Sequence, residues 1–238
     1  MSIGDTNRKT IVVLQPGYLP WLGFFDQMRH SDIFVYYDDV KFDKHGWRNR
    51  NRIKAPAGPQ WLTVPVLHHG KGQPLILETL IDTRSGWPRK HVETIRQCYA
   101  RAPYVKQYLP QLGELLNRSW THIADLDIAV TSLMAGWLKL TPNVVRASEL
   151  RIGGAQTERL INFCLHFGAQ RYFSGSAARD YLDVGEFERR GIEVIWQDYH
   201  HPVYRQLHEP FVPYLSAIDL LLNYGDDSAQ ILENGHLP

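Results

Sequence analysis

Several stretches of this chain combine residue types that could do chemistry. The segment Gln15-Pro16-Gly17-Tyr18-Leu19-Pro20-Trp21-Leu22-Gly23 holds two prolines and two glycines, which fix the backbone path. A helix opening beyond it would offer unpaired N–H groups to a phosphate or carboxylate. The same pattern suits a rigid turn carrying core aromatics, and spacing alone leaves both readings open. Gln15 and Tyr18 are its candidate ligand contacts.

A second stretch starts at Asp38-Asp39 and runs through Lys41 and His45 to Lys54. Paired carboxylates at a strand end can hold Mg²⁺, accept a proton or grip a ligand amine. If residues 47–53 are extended, side chains alternate between two faces. Trp47, Asn49, Asn51 and Ile53 then share one face, which combines stacking with amide hydrogen bonding. Arg48, Arg50, Arg52 and Lys54 share the other, a cationic strip. A solvated edge strand, charged to deter pairing, is the plainer reading. Asn is poor in strands, so the Asn pair beside a Trp favours a site.

A third stretch, Tyr172 to Leu182, reads as strand, Ser/Gly turn and helix. Ser174 or Ser176 can cap that helix, Gly175 lets the backbone approach a ligand, and Arg179 can clamp an anion. It is not a Walker loop, because no Gly-Lys-Ser/Thr is present. The fourth, Gln197 to Gln206, also follows a strand. His200 and His201 are adjacent and so point apart when extended, which makes a poor shared metal site. A general base is the better reading for one of them, and packing against the tyrosines is the alternative. Gln197 and Tyr204 flank it as binding candidates. His68-His69 shares the weakness as a metal pair and reads as loop. Trp87 and His91, four apart on one helix face, fit core or cleft lining equally.

Other chemistries find little support. Cys98 and Cys164 are the only cysteines, sit among apolar helical neighbours, and read as core thiols in a reducing compartment. No Gly-x-Ser-x-Gly elbow occurs, and no metal site is expected. A net charge of +1 gives no global pull toward nucleic acid or anionic membrane. No apolar run reaches the roughly 20 residues that span a bilayer, and Met1–Thr10 is polar and too short for a signal peptide. A cytoplasmic location is expected. Of the 238 residues, 44% are hydrophobic and 21% charged, as in an ordinary globular chain with a real core.

The elements that must position these residues follow from periodicity. Strands are expected at Ile11–Leu14, Ile33–Tyr37, Trp61–Leu67, Leu75–Ile81, Asn143–Ala147, Arg171–Phe173 and Glu193–Trp196. Gly70-Lys71-Gly72 reads as a loop between two of them. Helices are expected at Trp21–His30, Trp87–Tyr99, Tyr104–Asn117, Thr157–Phe167 capped by Gly168, Ala177–Leu182, around Phe187, and Tyr214–Leu222. Ile123, Leu126, Val130, Leu133 and Trp137 form the apolar stripe of a further helix. Alternating strands and helices argue for an α/β fold with a mainly parallel sheet and helices on both faces. Ligands in such sheets sit at the carboxyl ends of strands, where all four stretches are expected to converge. The reading is a tail over residues 1–10, a single α/β domain over 11–225 with a helical insertion at about 87–140, and a tail over 226–238.

The segments Gln15–Trp21, Asp38–Phe42, Trp47–Asn51, Trp61–Val66, Ser174–Leu182 and Gln197–Tyr204 together resemble the WbqC-like family, in that family's order, from about Ile11 to Gly225. The family is linked to O-antigen and other surface-glycan loci. The resemblance implies a transferase that attaches an amino acid or other acyl group to a nucleotide-linked amino sugar. The acyl or aminoacyl donor would be free or held on a carrier protein. The resemblance leaves the cofactor open. On this reading Ser174, Gly175 and Arg179 hold a phosphate. Asn49 and Asn51 read the sugar or acyl donor, Asp39 or His201 is the catalytic base, and Gln15, Tyr18, Trp47, Lys54, Gln197 and Tyr204 complete the binding set.

A fold-level similarity to HUP-type nucleotidyltransferases also exists in the strand–Pro-x-x-Leu-Pro–helix opening and in Ser174–Leu182. The histidine pair of that opening motif is absent, and Pro20-Trp21-Leu22-Gly23 stands in its place. An ATP-dependent adenylating or nucleotidyl-transferring enzyme and a non-catalytic binding subunit of a glycan assembly complex are the alternatives.

Overall fold

The computed structural model describes residues 8–44, 46–67 and 72–234. His45, the pair His68-His69, Gly70, Lys71 and the outermost residues of both expected tails lie outside them. In chain order the elements are β1 (Thr10–Leu14), α1 (Leu22–Arg29), β2 (Ile33–Tyr36), β3 (Arg50–Ala55), β4 (Gly58–Thr63), α2 (Trp87–Cys98), α3 (Val105–Leu116) and α4 (Ile123–Trp137). Then follow β5 (Val144–Arg146), α5 (Ala147–Leu150), α6 (Gln156–Phe167), β6 (Arg171–Ser174), α7 (Val184–Arg189), β7 (Glu193–Trp196), α8 (Ile218–Tyr224) and α9 (Ser228–Asn234). They group into two compact units. The first comprises Met1–Leu14, Asp26–Tyr37 and Pro142–Tyr199, and the second Gln15–Phe25, Asp38–Thr141 and His200–Pro238.

The first unit is the α/β part. Its five strands run in the order β5-β2-β1-β6-β7, and every pairing is parallel. Parallel strands are covered on both faces, which is why β1 (TIVVL) and β2 (IFVY) are near-continuous apolar runs. Register places Ile11 beside Ile33 and Tyr172. That face meets Leu160, Ile161, Phe163 and Cys164 of α6 and Phe187 of α7 in one buried core. Phe173 turns to the other face, where the His30 ring, just past α1, stacks on it at 5.0 Å. Helices therefore flank the sheet in three layers. Renumbering only these strands along the chain gives 3-2-1-4-5, so the direction of winding reverses between β1 and β6. Such a reversal opens a crevice at the strands' carboxyl ends.

The second unit contains the antiparallel hairpin β3–β4, helices α2–α4, where the helical insertion is expected, and the C-terminal α8 and α9. Helix α2 turns Trp87, His91, Ile95 and Cys98 inward. The buried face of α4 is Ile123, Leu126, Asp127, Val130, Thr131 and Met134, rotated from the expected stripe so that it includes two polar residues.

Several local expectations are corrected. Leu75–Ile81 is no strand but a short 3-10 turn, Ile76–Glu78, flanked by single bridges. Its side chains satisfy the local backbone: the Thr79 hydroxyl donates to the Leu75 carbonyl and the Leu75 N–H to the Glu78 carboxylate. The strand expected at Trp61–Leu67 instead pairs as β4 and ends at Thr63, just short of Pro65, which lacks an N–H. Ser176–Asp180 is a 3-10 turn rather than a helix. The closing helix begins at Ile218, because Tyr214 has φ 59°, outside helical space. Ser228–Asn234 is helical within the stretch read as a tail.

Candidate functional site

In the second unit, the loop after β1, the hairpin and the segment before α8 are tied together by main-chain bonds. Tyr18 N donates to the Trp47 carbonyl (3.3 Å), Ser216 N to that of Arg52 and Ala217 N to that of Pro20 (both 2.8 Å). Gly17 is required here, since a Cβ would lie 3.0 Å from the Trp47 carbonyl oxygen. The buried Asn51 amide donates to the carbonyls of Leu19 (2.8 Å) and Tyr18 (3.3 Å), pinning the loop to β3. Together they enclose a cavity of about 240 Å³ lined by Trp21, Trp47, Asn51 and Tyr214. Trp21 meets Tyr214 edge-on at 5.6 Å. The His201 ring backs Tyr214 at 5.2 Å and also touches Phe211 and Tyr204. His201 Nδ1 donates to the Pro202 carbonyl (2.9 Å), so the neutral ring carries its lone pair on Nε2. Burial lowers its pKa below the ordinary value, which keeps the ring neutral.

Beside the cavity lies an exposed platform. The Trp47 and Trp61 rings lie 5.3 Å apart at 30° and are 44% and 45% exposed. The Arg50 guanidinium sits 4.6 Å above Trp61, and that of Arg52 lies 5.6 Å from Trp47 and 5.7 Å from Trp61. Arg52 and Trp61 are direct cross-strand partners and so share a face. The expected alternation holds for Asn51 and Ile53, which are buried. Trp47 instead joins the arginines, because β3 begins only at Arg50 and the two-residue period does not reach back to it. Lys54 is 1% exposed, and its ammonium donates to the Pro210 carbonyl.

Behind this surface runs a buried polar cluster. The Arg48 guanidinium donates to the Gln15 side chain (2.6 Å). It also faces the charge of Asp127, whose two carboxylate oxygens have no hydrogen-bond partner among the described residues. Burial pushes the Asp127 pKa well up, with Arg48 opposing, and burial pulls that of Arg48 down. The Tyr18 hydroxyl bonds His91 Nδ1 at 2.9 Å. Burial lowers the His91 pKa to about 4, against the opposing effect of a bond the ring donates to the Thr63 backbone. The imidazole is therefore neutral, and the phenol, its own pKa raised by burial, is the donor. The Asn49 amide donates to the Val64 carbonyl (2.8 Å), and its Oδ1 is buried without a partner among the described residues. A further buried set links Lys54 N to the Tyr99 hydroxyl (2.9 Å), which donates to Asp219 (2.7 Å). Burial raises the pKa of that carboxylate, and the Tyr99, Tyr204 and Gln206 side chains near it oppose the rise. Asp38 is fully buried and Asp39 half-buried, their chain held by Leu77 N donating to the Asp38 carbonyl and Ile76 N to that of Val40 (both 2.9 Å).

In the first unit, Ser174 and Gly175 close β6. Gln197 N donates to the Ser174 carbonyl (2.8 Å). The buried Gln197 amide donates to Asp26 (2.7 Å) and accepts from Gln27 (3.0 Å). A Cβ on Gly175 would lie 3.3 Å from that Gln27 nitrogen, so the turn rests on the glutamine pair. Neither Ser174 nor Ser176 caps the following turn with its side chain. Arg179 is exposed and lies 5.1 Å over the Trp196 ring.

The second unit thus brings together Gln15, Tyr18, Trp47, Asn49 and Asn51 around the hairpin and sets His201 behind Tyr214. Lys54 and Tyr204 belong to the separate Tyr99–Asp219 set. The first unit brings together Ser174, Gly175, Arg179 and Gln197. Sequence reasoning missed Trp61, Tyr214, Asp26, Gln27 and Asp127 as participants. The one local signal was a polar residue set among apolar helical neighbours, as Asp26-Gln27 follow Phe24-Phe25 and Asp127 lies within an apolar helix. Among the described residues no cluster of three or more His, Cys, Asp or Glu could hold a metal ion, and no helix is long and apolar enough to cross a membrane.

A profile of the WbqC-like protein family matches residues 15–231. The chain is also 34% identical over 226 residues to the uncharacterized protein Rv1507c of Mycobacterium tuberculosis, covering 94% of this chain and 97% of that one. No solved structure matches.

Proposed function

The chain belongs to the WbqC-like protein family, and from that premise we propose a transferase of surface-polysaccharide assembly that joins an amino acid or other acyl group to a nucleotide-linked amino sugar. One observation carries the reading: the Trp47–Trp61 pair with Arg50 and Arg52 laid over it, beside the Trp21–Tyr214 cavity. Flat aromatic faces suit the C–H faces of a sugar ring or a base, and guanidinium groups suit phosphate. An exposed stack of this kind contributes little to the core. In the reaction the sugar amine attacks the donor's carbonyl carbon, the amine proton passes to a base, and the donor's leaving group departs as the amide forms. His201, neutral with its lone pair on Nε2, and Asp39 are the candidate bases. Asn49, whose Oδ1 has no partner among the described residues, reads a polar group of the ligand, while Asn51 shapes the cavity wall by holding the loop. In the first unit, taken by itself, Ser174, Gly175 and Arg179 at the carboxyl end of β6 are a phosphate site of their own.

Calorimetric titration with an amino-sugar nucleotide tests the reading. Binding should weaken at least tenfold in Trp61→Ala and Arg50→Gln. Equal affinity in the wild type and both variants, or no binding to any sugar nucleotide or acyl donor, refutes it. The strand order 3-2-1-4-5, whose crevice suits a nucleotide, favours ATP-dependent adenylation as a second reading, and pyrophosphate release from ATP would select it.

A further inference from the structure

A cavity of about 500 Å³ in the second unit takes no part in that scheme. Its volume falls within the roughly 300–1,000 Å³ of small-molecule sites. It is lined by Arg101 from the turn after α2, Arg205 and Gln206 from the segment before α8, and Asn223 and Tyr224 from the end of α8. None of these lines the Trp21–Tyr214 cavity or the platform.

The walls are fixed by bonds that leave the arginines out. Tyr104 N donates to the Leu222 carbonyl (3.1 Å), tying the Arg101 turn to α8. Arg205 N donates to the Tyr224 hydroxyl (3.1 Å), tying the next segment to the same helix. The Gln206 side chain is held at both ends by the backbone of Val212 (2.9 Å each). Asn223 Nδ2 donates to the Asp219 carbonyl (2.7 Å). Among the described residues, neither the Arg101 nor the Arg205 guanidinium makes a hydrogen bond or ion pair. Two permanently charged, forked donors thus line one rigid cavity with no carboxylate to neutralise them. Such forks match phosphate oxygens.

We infer that this cavity binds a phosphorylated small molecule, clamped by Arg101 and Arg205, with the Tyr224 hydroxyl and the Asn223 side chain within its walls. The inference stands on the cavity's own lining and does not depend on the sugar-nucleotide reading. A plainer role for the arginines would be to complement the carbonyl end of α8.

The test is calorimetry of the full chain with inorganic pyrophosphate at fixed ionic strength, with melting temperatures measured on every variant. Saturable binding is expected. It should weaken at least tenfold in Arg101→Gln and in Arg205→Gln, vanish in the double variant, and stay unchanged in Trp61→Ala. The inference is overturned by absent saturable binding or by equal affinity in the arginine variants, including the case where only their melting temperature falls. Loss of pyrophosphate binding in Trp61→Ala with retention in both arginine variants would place the anion on the platform and overturn it as well.

Discussion

His91 supplies a pH-dependent test of the buried polar cluster. It is 6% exposed, and burial takes its pKa from the ordinary 6.5 to about 4. Between those values the unfolded chain takes up a proton that the folded chain refuses, so stability falls as pH falls. The gap is about 2.5, and at about 1.36 kcal/mol per unit it is worth about 3 kcal/mol. That contribution is fully present above about pH 6.5 and lost as pH falls through about 4. For a chain of this length each kcal/mol moves the melting temperature by about 2–4 °C, so about 6–12 °C is at stake. The assay follows thermal unfolding of the wild type and His91→Gln from neutral pH downward. Other titrating groups are common to both proteins and cancel in the difference. The wild type should lose about 3 kcal/mol more than the variant over that span. Parallel curves would refute the assignment of a neutral imidazole held by the Tyr18 hydroxyl.

Three further outcomes are expected. Tyr99→Phe removes the hydroxyl that serves both Lys54 N and the Asp219 carboxylate and should cost about 1–3 kcal/mol in chemical denaturation; a smaller loss would mean the set is dispensable. Asp127 has its folded pKa raised by burial, so its contribution is present at low pH and lost as pH rises; the stability of Asp127→Asn relative to the wild type should therefore climb from acidic to neutral pH, and a flat difference would refute this. Asn49→Ala loses the bond to the Val64 carbonyl, worth about 1 kcal/mol, while ligand affinity falls further; a large drop in melting temperature with unchanged affinity would make Asn49 purely structural.

The sheet was legible because parallel strands are buried on both faces and announce themselves as apolar runs, as Ile11–Leu14 and Ile33–Tyr36 do. Helix α6 was equally plain, ending on Gly168 at φ 61°. Strand β3 was harder. Its sequence RNRIKA has no apolar period, and only the partner strand and the loop that Asn51 grips make it a strand. The 3-10 turn at Ile76–Glu78 looked like a strand because its apolar residues are buried by bridges to distant segments. Within the candidate site, aromatic and amide residues could be named one by one. Pairings such as Gln15 with Arg48 or Gln27 with Gln197 join positions far apart in the chain, which no local pattern reveals. Asp127 was hidden for a related reason: a stripe is read from its apolar members, and the polar residue on the same face is passed over.

The position of β1 has a consequence for synthesis. It precedes every other described strand and so leaves the ribosome before them, yet it occupies the middle of the sheet, between β2 and β6. One neighbour arrives at once, through Ile11 beside Ile33, while the other side waits for Arg171 and Tyr172. Translation at about 5–20 residues per second leaves that side unpaired for about ten seconds or more. During that time a β-branched apolar edge is open to any passing strand. Nascent chains stalled after the helical insertion should accordingly be chaperone clients, whereas chains extended through β7 should not.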